Sequence, residues 1–183
     1  FNSKDLCMIG HLPEIVRSGI KSLKIEGRMK TAYYVAATTG AYRKALDQFF
    51  LDEEKYKAKI PEYVKELEKA SHRHFTTGFY FGKTTQNDQV YGDSSYIRNY
   101  DFTAIVTDYD KARGLAKIEQ RNKFSTGDTI EFLQAPVDGF CQPIDKLYDE
   151  HMAEVSSSPP PKQVLFIKTD PVVSPFSTLR KTI

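Results

Sequence analysis

The stretch SLKIEGRMKTAYYVA, residues 22–36, places a lysine and a glutamate two apart in an otherwise apolar run, stops it with a glycine and adds an arginine. In an extended strand Lys24 and Glu26 share one face, and Leu23 and Ile25 the other. With Arg28 just beyond Gly27, such a set either holds an anionic group or pairs within itself. A second basic group, Lys111, Arg113, Lys117, Arg121 and Lys123, is accompanied by Asp110 and Glu119 and lies close in sequence to Tyr109 and Phe124. Phosphate contacts with aromatic support are the chemistry that pattern would serve. A solvated sheet face is the plainer reading and the favoured one, because strand alternation must put some polar residues outside.

Other reactive side chains give less. His72 and His74, in SHRHF, diverge if they sit at a helix end and share a face only on a strand, so helix-terminal cations beside a packed Phe75 are expected rather than a metal or acid/base pair. His11 and His151 are isolated. The two cysteines, Cys7 and Cys141, belong to no CxxC or Cys/His cluster, which argues against a disulfide framework or a zinc site and fits a reducing cytoplasm. Cys7 is expected to be a buried structural thiol.

The elements that must position these groups follow from pattern. With 183 residues and 40% hydrophobic content the chain can bury a core, as one domain or two small ones. A formal net charge of +2 demands neither nucleic acid nor membrane globally, so partners must be argued locally. No apolar run approaches the roughly 20 residues of a membrane span, and the first residues lack a signal-peptide pattern. The absence of an initiator Met hints at a piece of something longer.

HLPEIVRSGI reads as a short helix with Pro13 at its start and Gly19 at its stop, IKSLKIEG as a strand, and MKTAYYVAATTGAYRKALDQFF as a long helix with Tyr34, Ala37, Ala41, Ala45 and Phe49 along one side. After a charged break, DEEKYKAK, Pro61 opens a further helix carrying Tyr63, Val64, Leu67 and Ala70. Residues 84–100 are polar and turn-rich. From Asp101 the period becomes two, with short strands spaced as in a small antiparallel barrel or sandwich, SSSPPPK as a turn within it and SPFSTLRKTI closing it or fraying. The fold class is therefore an α+β mosaic: an α/β piece over 1–50, a helical and turn-rich connector over 51–100, and a β-barrel module over 101–183.

The segments NSKDL, a short helix, LKIEGRMK, HRHFTTGF and RNKFSTGDTIEFL together resemble peptidase family U32, the collagenase-like proteases, and especially its branch of tRNA wobble-uridine hydroxylation proteins. The resemblance covers nearly the whole chain. It implies that residues 1–50 are the last turns of a TIM-like barrel with SLKIEG as a terminal strand; the C-terminal module, through KFSTGDTIEFL, resembles the small β-barrels of the translation elongation factor type. Active sites of such barrels lie at the C-terminal strand ends, so Lys24, Glu26 and Arg28 are expected at the mouth, with Asn2 and Lys4 contributing from the preceding strand end; an ion-paired rim is the alternative. It also implies an iron–sulfur cluster in an upstream part of the parent, with no metal ligand here, since two cysteines cannot replace four thiolates.

Three readings compete. The chain docks tRNA for an RNA-hydroxylating parent, it is the substrate-binding appendage of a peptidase acting on peptides or collagen-like chains, or it is a structural module completing the upstream barrel. The isolated chain is expected to be catalytically silent and cytoplasmic.

Overall fold

The computed structural model describes residues 2–183 except 93–95, 136–137 and 159–160. The chain divides into two compact units, 1–99 and 100–183.

The first unit is helical around two small strand pairs. Strands β1 (Asn2–Ser3) and β2 (Asp5–Leu6) lead into α1 (Leu12–Arg17), where Pro13 lies in the first turn and Gly19 ends the run at φ +82°. Helix α2 (Ala32–Leu51) starts at Thr31, whose hydroxyl accepts from the Tyr34 amide at 3.2 Å. It buries Ala37, Ala41 and Ala45 and packs Phe49 on the core as expected, but at the start of the stripe Tyr33 is buried and Tyr34 only half-buried.

Helix α3 (Glu53–Glu68) departs from expectation in its start. The charged DEEKYKAK is not a break but the helix's first half, with Pro61 inside it. Asp52 caps the Lys55 amide at 3.0 Å, Glu53 and Glu54 occupy the favourable first turn, and Tyr56 is fully buried. The Tyr56 hydroxyl donates to the Ile9 carbonyl at 2.7 Å and accepts from the Leu12 amide at 3.3 Å, anchoring the helix beneath the turn that precedes α1. These gains outweigh the one helical bond the proline cannot make. Strand β3 (Phe75–Thr76) pairs with β2 in parallel, and β4 (Gln89–Val90) with β1 antiparallel.

The expected strand SLKIEG is not formed. Residues 21–27 are unpaired, Leu23 is 44% exposed and Met29 91%. A strand of a parallel sheet needs ladder partners for its N–H and C=O groups, and the described residues supply none to it.

The second unit is an eight-stranded antiparallel sheet. Its strands are β5 (Tyr100–Asp110), β6 (Leu115–Gln120), β7 (Thr129–Leu133), β8 (Phe140–Pro143), β9 (Leu147–Tyr148), β10 (Glu154–Val155), β11 (Val164–Lys168) and β12 (Thr178–Thr182). The spatial order is β10-β9-β11-β6-β5-β12-β7-β8, so the C-terminal strand does not fray but lies between β5 and β7. The sheet curls into a half-barrel, bridged at two points. Ser125, before β7, bridges Ser157, after β10; the Gln142 side chain in β8 donates to the Lys168 carbonyl at 2.7 Å and accepts from the Asp170 amide at 3.1 Å. Inside lie Ile118, Phe124, Ile130, Phe132, Leu165 and Leu179, all fully buried. Parts of two expected turns, residues 93–95 of the polar run and 159–160 of SSSPPPK, lie outside the described residues.

Candidate nucleic-acid interface

The unpaired segment 20–31 carries Lys21, Lys24, Arg28 and Lys30 against the single carboxylate of Glu26. Glu26 is spent on local geometry: its carboxylate accepts from the Arg28 amide at 2.9 Å, and the Lys30 amide closes the turn on the Gly27 carbonyl at 2.9 Å. Gly27 lies close under the next helix: a Cβ there would sit 2.8 Å from Val35 Cγ2, so the Val35 side chain would have to shift. Lys24 and Arg28 are exposed, and neither their charged groups nor that of Lys21 has a partner among the described residues.

What holds this strap is Lys30. Its Nζ lies 3.8 Å from the Tyr96 ring centroid and 5.1 Å from that of Tyr34, a contact of the cation–π kind. The Tyr96 ring is shared by Arg73, 5.4 Å away, and Arg73 is fixed in turn by Asp5 through Nε at 3.0 Å, a terminal nitrogen at 2.9 Å and its own amide at 2.9 Å. The Tyr34 hydroxyl is pushed above its ordinary pKa, first by burial and next by the Asp5 charge. The strap is thus pinned at its C-terminal end on an aromatic–cation cluster and leaves its other cations outward.

The remaining expected mouth residues lie elsewhere. Asn2 pairs with Val90 in the β1–β4 ladder, and Lys4 lines an open cleft of about 560 Å³ with Gln86, Asn87, Gln89 and Tyr91. No hydrogen bond or ion pair joins Asn2 or Lys4 to Lys24, Glu26 or Arg28 among the described residues.

In the second unit the five basic residues separate. Lys111 and Arg113 occupy the β5–β6 turn, where Asp110 accepts from the Ala112 and Arg113 amides and sits 3.7 Å from the Arg113 guanidinium. Arg121 pairs with Glu119 at 2.6 Å, Lys123 is exposed, and Lys117 points outward from β6. Their expected aromatic support is not there: Phe124 is fully buried in the core, and Tyr109 packs on it with its hydroxyl 3.4 Å from the Thr169 carbonyl. Strand alternation after a bulge between Val106 and Asp108 turns Tyr109 inward.

The other reactive groups are structural. His72 is 6% exposed, stacks on Phe75 at 4.9 Å and places Nδ1 2.9 Å from the Ala70 carbonyl, whereas His74 is exposed. Burial pushes the Cys7 thiol up, and the Tyr42 hydroxyl, 4.0 Å from Sγ, is pushed up as well, first by its own burial. A nucleophilic cysteine needs the opposite shift. The chain has two thiols where a cluster of this kind takes four thiolates, so its own donor set does not fit an iron–sulfur cluster.

Comparison with known proteins agrees with this two-part layout. The model for peptidase family U32 matches residues 1–90, and the model for the C-terminal domain of that family matches residues 98–180. The chain belongs to peptidase family U32. It is 34% identical over 178 residues to tRNA hydroxylation protein P1 of Bacillus subtilis, covering 97% of this chain and 42% of that protein. It is 36% identical over 141 residues to tRNA hydroxylation protein P of Escherichia coli, covering 72% and 28% respectively. An uncharacterized protease of Methanocaldococcus jannaschii is 39% identical over 131 residues, covering 69% and 31%. The chain therefore spans less than half the length of these U32 relatives. A crystal structure of the C-terminal domain of a Geobacillus thermoleovorans protein assigned to the U32 peptidases is 33% identical, with TM-score 0.43, covering 44% of this chain and 99% of that one.

Lys30, Tyr34, Arg73 and Tyr96 had no sequence signal as a group. Tyr96 is distant from the strap in sequence, in a run that reads only as turns, and a cation–π contact has no spacing rule.

Proposed function

We propose that this chain is the C-terminal part of a tRNA-modifying U32 protein acting in uridine hydroxylation, and that it serves to dock tRNA. The observation that carries the reading is the similarity to a tRNA hydroxylation protein across 97% of the chain, through both units. The geometry supports it in one specific way: Lys21, Lys24 and Arg28 are cations without counter-ions on a tethered strap, which is what phosphate binding requires. In this reading residues 1–50, with β1, β2, α1 and α2, are the end of a TIM-like barrel. The strap becomes a paired strand, with Lys24 and Arg28 at the mouth, when the upstream part of the parent supplies its neighbours. The second unit is then a barrel of the elongation factor type, the iron–sulfur cluster belongs upstream, and the protein works in the cytoplasm.

The peptidase reading rests on the family name and on that of the archaeal relative. The raised Cys7 thiol and the packed His72 ring speak against a cysteine–histidine site in this part.

The test is binding of the 183-residue chain to bulk tRNA and to gelatin at low and moderate salt. Saturable tRNA binding that weakens with salt is expected. Lys24→Ala with Arg28→Ala should lower the steepness of that salt dependence by about one for each phosphate left without its cation. Gelatin binding without tRNA binding would return the chain to the peptidases.

A further inference from the structure

The second unit has an outward aromatic row that composition does not reveal. Across four neighbouring strands the register sets Lys117 of β6 opposite Phe166 of β11, Phe166 opposite Tyr148 of β9, and Tyr148 opposite Glu154 of β10. Alternation fixes their direction. Ala116, Ile118, Leu147, Leu165 and Ile167 are buried in the core, so Lys117, Tyr148, Phe166 and Lys168 face out, the rings half-buried and Lys168 exposed. Neighbouring pairs across a ladder lie about 5 Å apart, so the two rings form one continuous surface.

The charges around the rings are sorted. Glu154 is engaged by Lys146 at 3.3 Å and Glu119 by Arg121 at 2.6 Å, while Asp108, opposite Lys117, accepts from the Tyr109 amide at 2.8 Å. The ammonium groups of Lys117 and Lys168 have no partner among the described residues. Two half-buried rings with two unpartnered lysines beside Phe166, one across the ladder on β6 and one two residues along β11, match unpaired bases and their phosphates at that end of the row; Glu154, at the other end, is already paired with Lys146.

We propose that the outer face of β6-β11-β9 is a stacking platform for single-stranded RNA, with Phe166 and Tyr148 each taking a base and Lys117 and Lys168 following the backbone; this rests on the tRNA reading and assigns its unpaired nucleotides to this face. The unit as a whole carries fewer basic than acidic side chains, ten against twelve, so binding here depends more on stacking than on counter-ion release.

The experiment uses the full 183-residue chain with a fluorescent single-stranded oligouridylate and a blunt RNA duplex of equal length, read by anisotropy. The chain should prefer the single strand. Phe166→Leu and Tyr148→Leu, which keep apolar bulk but remove the ring, should each weaken single-strand binding roughly tenfold, whereas Phe166→Tyr and Tyr148→Phe should bind as the parent does. Thermal melting of each variant separates lost stacking from lost fold. Unchanged affinity in folded Leu variants, equal affinity for duplex, or no oligonucleotide binding at all overturns the platform. If bulk tRNA is still bound in those cases, the docking reading stands on the strap alone; if tRNA binding is absent as well, that reading falls too. Self-association of the parent chain that the Leu variants lose, without oligonucleotide binding, would make the face a protein interface instead.

Discussion

The strap of the first unit and the sheet of the second both carry cations, yet they treat their arginines in opposite ways. On the strap Lys21, Lys24 and Arg28 are left without counter-ions, and the one carboxylate, Glu26, is committed to a backbone turn. On the sheet the arginines are tied: Arg113 to Asp110, Arg121 to Glu119, and Arg180 to Glu131 in a two-pronged pair of 2.9 and 2.6 Å. Arg180 is only 1% exposed. The contrast teaches that a basic count does not identify a binding surface; what matters is which cations the fold has already neutralised.

The comparison breaks most visibly at Arg180. Removing its partner by Glu131→Ala leaves a buried guanidinium without its carboxylate, and should cost about 3 kcal/mol or more in denaturant unfolding of the second unit. Replacing both by apolar residues, Glu131→Leu with Arg180→Met, should recover most of that loss. A single substitution that costs less than the double would mean that the pair is not what holds β12 against β7. In the first unit the equivalent anchor is neutral. Tyr56→Phe removes a hydroxyl that satisfies the Ile9 carbonyl and the Leu12 amide, so a smaller loss of about 1–2 kcal/mol is expected, independent of salt.

A still smaller effect sharpens the strap's side. Lys30→Gln removes the cation held over Tyr96 and Tyr34, worth about 1 kcal/mol when half-buried. Global stability should barely change, while limited proteolysis should begin cutting between residues 20 and 31. A strap that remains protected would show that the Gly27–Lys30 turn suffices to hold it.

Why the strap escapes a reading from sequence while the sheet does not is itself physical. Strand alternation is local, so Ile118, Ile130, Phe132, Leu165 and Leu179 mark an inward face whatever their partners are. SLKIEG shows the same alternation, but alternation states only what a strand would bury and not whether ladder partners exist. The start of α3 is hidden because Pro61 is a stronger local signal than the Asp52 cap. Which outward residues meet is not legible either. Lys117 comes opposite Phe166, and Phe166 opposite Tyr148, through register, which depends on loops and on a bulge at Val106–Asp108. The ring nearest Lys117's group in sequence, Phe124, goes into the core.

The finest test of charged against neutral anchoring uses two carboxylates with lowered pKa values. Asp128, in the second unit, is held down chiefly by the Lys181 ammonium at 2.8 Å, against an opposing effect of burial. Asp88, in the first, is held down chiefly by the Thr76 hydroxyl and the Thr85 amide. For both, the folded value lies below the unfolded one, so each contributes stability that is fully present above about pH 4 and is lost as pH falls through the folded pKa. Salt separates them, because it screens an exposed ion pair but not a hydrogen bond to a neutral donor. In a carboxyl NMR titration at low and at high ionic strength, the Asp128 value should move up toward that of an ordinary aspartate, while Asp88 stays low. Equal movement of the two would mean that the long-range field of each unit, rather than the named partner, sets both. Asp128→Asn should then also fail to flatten the acid limb of unfolding, which it is otherwise expected to do.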